Sequence, residues 1–386
     1  MINYGKQYID SSDIKAVNKV LKKNFLTQGP EVSRFEKRLK NYFGAKYCSV
    51  VSNGTAALHL VGIALNWKPG DIILTSTLSF LASSNCILYA GAKPEFVDIN
   101  ATNYNIDIHQ LEKKIRYFKK KSKKVVAIIA TDYAGYPCDW EKLREIALKY
   151  KLKLINDNCH SLGSKYKNNK NYAAMYANVV THSYHPVKNI TTGEGGAVLS
   201  NDRDIIKKIE ILRSHGVVRN PKKMFNNHGP WYYEMQQLGF NYRLSDIQCA
   251  LGISQLKKID RFVKKRKEIA KIYDKAFSND KRFIIHKSEK NYYHSYHLYP
   301  LQIKFDLLKI SKKDLFKKMY NKGITLQVHY IPIHTQPYYK KRFKLKNGTF
   351  PISEKFYCNE VSLPVYYSLK KKQIYKVIKY IKEFCN

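Results

Sequence analysis

Among 69 lysines and arginines, any single one is expected at the protein surface, yet Lys188 stands in a setting built for chemistry. It lies in Ser183-Tyr184-His185-Pro186-Val187-Lys188-Asn189-Ile190-Thr191-Thr192-Gly193-Glu194-Gly195-Gly196, between an apolar, strand-like run and a glycine-rich turn. Ser183, five residues upstream, is able to bind phosphate. An amine that attacks a carbonyl to form a Schiff base must reach a ligand anchored close by, and its pKa must fall before it becomes a nucleophile. The segment therefore predicts a lysine in covalent partnership with a phosphate-anchored carbonyl compound.

Three other places carry residues that suit the same ligand. Val50-Val51-Ser52-Asn53-Gly54-Thr55-Ala56-Ala57-Leu58 runs from a strand through a small-residue turn into a helix. Free N–H groups at a helix N-terminus, with glycine permitting close approach, hold phosphate well. Taken alone, such a turn is more often a simple helix cap. Ile155-Asn156-Asp157-Asn158-Cys159-His160 follows an apolar run. A carboxylate there can keep the ring nitrogen of pyridoxal phosphate protonated and strengthen its electron sink, while His160 can hydrogen-bond the ring hydroxyl. Its plainer reading is a capping Asp157 and a satisfied histidine. Phe80, just past another strand, can lie over a planar ligand, and by itself would be read as core. The four positions agree on one ligand that none specifies alone.

The elements that must position these residues are legible as short apolar runs alternating with helix-period segments. Strands are predicted at Tyr47–Val51, Ile72–Thr75, Glu95–Val97, Val125–Ala130, Leu152–Ile155, Val179–Ser183 and Ala197–Leu199, with amphipathic helices such as Leu111–Phe118 and Trp140–Tyr150 between them. Alternation of this kind implies an α/β fold, a mainly parallel sheet covered by helices on both faces. Ligands then sit beyond the carboxyl ends of the strands, where the candidate residues fall. From about Leu244 the pattern changes to one long helix, Leu244–Phe277, followed by strands at His297–Ile303 and Thr325–Val328 and helices at Ser311–Asn321 and Leu369–Phe384. The expected division is a large domain over 1–250 and a smaller α+β domain over 251–386, joined by that helix.

The formal charge of +39 would ordinarily raise nucleic acid as a partner. No nucleic-acid-binding motif accompanies the charge, and runs such as Lys119-Lys120-Lys121 and Lys370-Lys371-Lys372 read as solvated helix faces. No sequence-specific nucleic-acid partner is expected. The seven cysteines are scattered, without a C-x-x-C pair, which argues against a disulfide framework or a zinc site and fits a reducing compartment. Met1–Asp10 contains no apolar run of signal-peptide length. Tyr47–Trp67 lacks Asp, Glu, Lys and Arg, but Ser52-Asn53-Gly54-Thr55 and His59 break it, so a buried strand, turn and helix are expected instead of a membrane span. The reading is a soluble, cytoplasmic protein with no metal.

Ser183-x-His185-x-x-Lys188 with Thr192-Gly193-Glu194-Gly195-Gly196 resembles the lysine segment of the fold-type I aminotransferases of the DegT family, which act on nucleotide sugars. The resemblance spans essentially the whole chain, including Leu26-Thr27-Gln28-Gly29-Pro30, Gly239-Phe240-Asn241-Tyr242-Arg243 and Val328-His329-Tyr330-x-Pro332-x-His334. It implies that Lys188 holds pyridoxal 5'-phosphate as a Schiff base and also moves protons. Asp157 would pair with the pyridine nitrogen, with His160 at the ring oxygen and Phe80 on the ring. Gly54, Thr55 and Ser183 would bind the phosphate, joined by Asn241 from the neighbouring subunit of a homodimer. His329 and Tyr330 would lie near the sugar nucleotide, and glutamate would donate the amino group. A dehydratase branch of the family has histidine at the lysine position, so Lys188 favours transamination. Asp132-Tyr133-Ala134-Gly135, His297-Leu298-Tyr299-Pro300 and Gln327-Val328-His329-Tyr330-Ile331-Pro332-Ile333 resemble the branch that aminates C4 of a UDP-linked 2-acetamido-2,6-dideoxy-4-keto-hexose in pseudaminic acid biosynthesis. Related 4-amino-sugar enzymes using other nucleotides share similar segments. A regulatory DNA-binding protein on the same fold is the rival from another class. The intact Asp157, Ser183, Lys188 and Asn241 speak against it.

Overall fold

The computed structural model describes residues 1–386. At its centre is a seven-stranded sheet made of β1 (Tyr47–Val51), β2 (Asp71–Ser76), β3 (Lys93–Val97), β4 (Lys124–Thr131), β5 (Lys153–Asp157), β6 (Val179–Ser183) and β7 (Gly196–Ser200). Their spatial order is β1-β7-β6-β5-β4-β2-β3, and only β7 runs against its neighbours. The strands are buried almost throughout because both faces are covered, as parallel sheets require. Side chains alternate between the two layers: Ile72 and Leu74 enter one core and Ile73 the other, and Ile128 and Ala130 oppose Ala127 and Ile129 in the same way.

One layer holds α1 (Ser11–Leu21), α2 (Pro30–Phe43), α5 (Ile108–Lys120), α6 (Trp140–Lys149) and α7 (Tyr172–Tyr176), and the other holds α3 (Gly54–Ala64), α4 (Ala82–Tyr89) and α8 (Arg203–Leu212). Tyr47–Trp67 is β1, a turn and buried α3, as its polar interruption predicts. No helix is long and apolar enough to cross a membrane. All seven cysteines are unpaired thiols.

A two-stranded hairpin, β8 (Val217–Val218) with β9 (Glu234–Met235), projects from the large domain and leaves Phe225, Trp231 and Leu238 exposed. The expected single helix over 244–277 is two helices, α9 (Asp246–Leu256) and α10 (Ile259–Phe277). The break is a tertiary effect that hydrophobic periodicity does not register. Gln255 donates to the Tyr8 carbonyl and to Asp13, while the Lys258 ammonium sits 2.6 Å from Asp10 and 2.7 Å from Asp13 at the start of α1. Core membership changes along α10, with Ile259, Phe262 and Val263 in the large core and Ile269, Ala270 and Tyr273 in the small one.

The small core lies between a three-stranded antiparallel sheet, β10 (Phe283–Ile284), β11 (Tyr299–Ile303) and β12 (Glu360–Leu363), and helices that include α11 (Lys312–Asn321) and α14 (Lys371–Phe384). α12 (Pro337–Phe343) and α13 (Pro351–Asn359) connect it to the large domain. The N-terminus joins this unit: Ile2 donates to the Gly323 carbonyl and accepts from Thr325, which carries Tyr4 to the mouth of the cleft. The strand expected at Thr325–Val328 is reduced to isolated bridges, Ile324 with Ile2 and Gln327 with Ser362. Pairing stops there because the Val328 N–H donates to the Gln327 side chain and that of His329 to the Glu360 carboxylate, neither to a main-chain carbonyl.

Candidate active site

A cleft of ≈ 840 Å³ opens where the carboxyl ends of β1, β2, β4, β5 and β6 meet the small domain. It gathers Gly54, Thr55, Phe80, Asp157, His160, Ser183, Lys188, His329 and Tyr330, residues that are up to 276 positions apart in the chain (54 to 330).

Its floor at β1 and β6 is a cradle of anion-binding type. Asn53 caps α3 by accepting from the Ala56 N–H at 2.7 Å, and the N–H groups of Gly54 and Thr55 have no carbonyl within the helix to donate to. Gly196 on β7 pairs with both Val51 and Ser183, so the helix start and the Ser183 hydroxyl are set side by side. The fit leaves no space for larger residues. A Cβ on Gly196 would strike the backbone of Asn53 and Gly54, and one on Gly54 would come within 2.8 Å of the Ser183 Cβ. N–H donors, a helix dipole and a hydroxyl converging at one spot suit a phosphate dianion.

Strand register places the carboxylate. Thr131 pairs with Asp157 across β4 and β5, and Asp157 pairs with Thr181 on β6. Asp157 Oδ2 accepts the Ser83 hydroxyl at 2.6 Å and lies 3.5 Å from Thr131 Oγ1, while Oδ1 accepts the Cys159 N–H at 3.3 Å. Asp157 is the last residue of its strand, so the strand extends further than expected and ends on the carboxylate. Ser83, on the first turn of α4, is a partner that the sequence reading missed. Only its position three residues after Phe80, one turn along the chain, could have signalled it.

Lys188 lies beside an imidazole. Its Nζ lies 3.5 Å from His297 Nε2, and the His297 ring packs on that of His160 with centroids 4.5 Å apart. Burial lowers the Lys188 pKa, opposed by the nearby Asp157 carboxylate. His160 and His297 are pushed well below the ordinary histidine value, first by burial and then by the Lys188 charge. His329 falls to about 3 for the same two reasons. All three rings are therefore neutral at physiological pH. Burial in turn raises the Cys159 thiol, which makes it a poor nucleophile.

The small domain supplies the opposite wall. Tyr330 OH and His160 Nε2 are 2.9 Å apart, and Phe80, 54% exposed, leans toward Tyr330 with ring centroids at 6.0 Å. Asp132-Tyr133-Ala134-Gly135 is the scaffold under this wall. Asp132 is buried and accepts from the Cys138 N–H, the Trp140 indole, Asn158 and Tyr172 at 2.6 to 3.0 Å, while the Tyr133 hydroxyl donates to the His329 carbonyl. Burial raises Asp132 to about 6 against the hydrogen bonds from Tyr172, Cys138 and Trp140. Asn241 is the one candidate that does not join the group. It is exposed, bridged to Ser214, and outside the cleft of its own chain, although its neighbour Tyr242 lines that cleft.

A half-buried amine of lowered pKa, an anion cradle and a buried carboxylate suit a phosphate-bearing pyridine aldehyde. His160 Nδ1, buried and without a hydrogen-bond partner in the protein, adds a polar atom available at the ring. Residues 7–382 match the model of the DegT/DnrJ/EryC1/StrS aminotransferase family. The chain is 41% identical over 375 residues to the UDP-4-amino-4,6-dideoxy-N-acetyl-beta-L-altrosamine transaminase of Campylobacter jejuni serotype O:23/36, covering 96% of this chain and 94% of that one. It superposes on PseC of Helicobacter pylori, an aminotransferase involved in the biosynthesis of pseudoaminic acid, with a TM-score of 0.89 at 32% identity, covering 100% and 99% of the two chains. The sugar aminotransferase Spr1654 of Streptococcus pneumoniae in its PLP-form gives a TM-score of 0.88 at 26% identity, covering 99% and 98%. Matched along nearly its whole length, the chain belongs to the DegT/DnrJ/EryC1/StrS aminotransferase family and is an aminotransferase that uses pyridoxal 5'-phosphate.

Proposed function

We propose that the protein transfers the amino group of glutamate to C4 of UDP-2-acetamido-2,6-dideoxy-beta-L-arabino-hexos-4-ulose, forming UDP-4-amino-4,6-dideoxy-N-acetyl-beta-L-altrosamine. The observation that carries the chemistry is the convergence of Lys188, Asp157 and the Gly54–Ser183 cradle in one cleft. The choice of sugar is supported by full-length similarity to enzymes named for that product in two genera.

When bound, pyridoxal phosphate supplies an electrophilic carbon and an electron sink. The chain's residues do the rest. Gly54, Thr55 and Ser183 fix the phosphate, and Phe80 covers the ring. Asp157, held by Ser83, would keep a proton on the ring nitrogen. Lys188 would hold the cofactor at rest. Its free Nζ would take the proton from Cα of the amino donor and, in the second half-reaction, deliver one to sugar C4. A depressed pKa suits it to both duties near neutral pH. His297 Nε2 is placed to accept from the ε-ammonium while the side chain is free. His329 and Tyr330 face the sugar nucleotide from the small-domain wall. In a homodimer, Asn241 would reach the phosphate of the partner's cofactor, for which its position outside its own cleft leaves it available.

A panel of UDP-, GDP- and dTDP-linked 4-keto sugars offered with glutamate tests the assignment, with product configuration read by NMR. Turnover confined to the UDP-linked N-acetyl sugar with the altro product is expected. Preferred turnover of a GDP- or dTDP-linked sugar would refute the substrate.

A further inference from the structure

The small domain contains a buried chain of hydrogen bonds that ends at His329. Ser362 Oγ lies 2.5 Å from Glu360 Oε1, His329 Nδ1 lies 2.8 Å from the same Ser362 oxygen, and the His329 main-chain N–H donates to Glu360 Oε2 at 3.0 Å. All three side chains are buried, Glu360 and Ser362 almost completely. Main-chain pairing of Ser362 with Gln327, N to O at 2.8 Å, keeps β12 and the 327–330 segment in fixed register, so the chain cannot slip.

The direction of each bond follows from what each atom can donate. A carboxylate only accepts, so the single Ser362 proton goes to Glu360 and the Ser362 oxygen is left as an acceptor. His329 must then carry its proton on Nδ1. Its other nitrogen, Nε2, is left toward the cleft as a lone pair. We propose that Glu360 and Ser362 are positioning residues that lock the tautomer of His329, so that its Nε2 accepts a hydrogen bond from a hydroxyl or amide N–H of the sugar. The proposal rests on the reading of His329 as a sugar contact. A neutral ring offering a lone pair discriminates against a phosphate oxygen and against any sugar carrying an acceptor at that position, since two acceptors face to face leave both unpaired. Burial pushes Glu360 up to about 7, with the Ser362 hydrogen bond and the Lys312 charge holding it down. The tautomer and KM measurements are therefore to be made at a pH above that value, where Glu360 is a carboxylate.

Substitution at Glu360 separates this arrangement from a merely structural one. In Glu360→Gln the single amide oxygen is needed by the His329 N–H, so the NH2 group faces Ser362. The Ser362 proton then turns to His329 Nδ1, and the ring proton moves to Nε2. ¹⁵N NMR of the full-length protein, with His329 assigned by its loss in His329→Gln, should show Nδ1–H in the wild type and Nε2–H in Glu360→Gln. Ser362→Ala should show both tautomers, and Ser362→Thr should restore the wild-type one. KM for the keto sugar should rise about tenfold or more in Glu360→Gln, the effect of setting donor against donor, with KM for the amino donor unmoved. An Nε2–H tautomer in the wild type, or one unchanged in both Glu360→Gln and Ser362→Ala, overturns the lock. A tautomer that inverts while the sugar KM stays constant overturns His329 as the sugar contact.

Discussion

Replacing Gly54 by alanine adds one methyl group at the most crowded point of the cradle. Gly54 has no left-handed backbone conformation, so a side chain there brings no backbone strain and the effect is steric alone. The new Cβ would stand 2.8 Å from the Ser183 Cβ and 3.4 Å from the Cys159 sulfur. Carbon atoms pack best at about 3.5 to 4.0 Å, so the start of α3 and Ser183 must separate by roughly an ångström. β6 cannot easily yield, because Ser183 pairs with Gly196, which itself abuts Asn53 and Gly54. Overpacking of this kind costs about 1 to 3 kcal/mol, partly offset by the better helix propensity of alanine, of order 1 kcal/mol. The cofactor-free protein should therefore lose no more than a few degrees in Tm. Cofactor binding should suffer more. Each charge-assisted hydrogen bond lost from the phosphate is worth about 1.5 to 3 kcal/mol, so Kd for pyridoxal phosphate should rise roughly ten- to a hundredfold. Titration of the cofactor-free protein by absorbance, alongside thermal unfolding, separates the two effects. A lowered Tm with cofactor affinity unchanged within about twofold would refute the cradle as the phosphate site.

Asp157→Asn should keep the fold, because Ser83 and Thr131 retain an oxygen to bond, yet lose a hundredfold or more in kcat, with each ~1.4 kcal/mol in the barrier a factor of ten. Near-normal turnover would mean that another group tunes the ring. Lys188→Ala should abolish turnover, and borohydride followed by peptide mapping of the wild type should mark Lys188, whereas label at a different lysine would displace it from its role. Mixing Lys188→Ala with Asn241→Asp should restore up to half of the wild-type activity per mixed dimer, since one of its two sites would carry neither lesion; no recovery above the parents would place Asn241 in its own subunit's service. Glu360, raised on folding to about 7 by burial, binds a proton in the native state that the unfolded chain releases near 4.5, so native stability should fall as pH rises across that window. Urea unfolding of wild type against Glu360→Gln should show the variant gaining, up to about 3 kcal/mol, as pH rises from about 4.5 to 7; parallel pH profiles would contradict it.

Much of the site was legible in the chain because it is built where local pattern changes. Gly54 and Thr55, Phe80, Asp157 and Ser183 each follow an apolar run at its carboxyl end, and in a parallel sheet those ends share one edge, so strand recognition alone brings them together. Lys188 was marked by its strand-to-glycine setting, and family resemblance turned that pattern into a cofactor. What the sequence could not express are contacts between segments far apart in number. The break between α9 and α10 is made by Lys258 meeting Asp10 and Asp13, some 250 residues away. Thr325–Val328 has the composition of a strand, but side-chain oxygens of Gln327 and Glu360 take the N–H groups of Val328 and His329 and end the ladder. Ser83 behind Asp157, His297 beside Lys188, and the Glu360–Ser362–His329 chain carry no local signature, since each depends on a hydrogen bond whose partners are set by register and domain packing. Residue type and period thus determined the elements and the edge where chemistry occurs. Which nitrogen faces the cleft and which hydroxyl holds the carboxylate were decided only by folding, because hydrogen-bond direction is a property of neighbours in space.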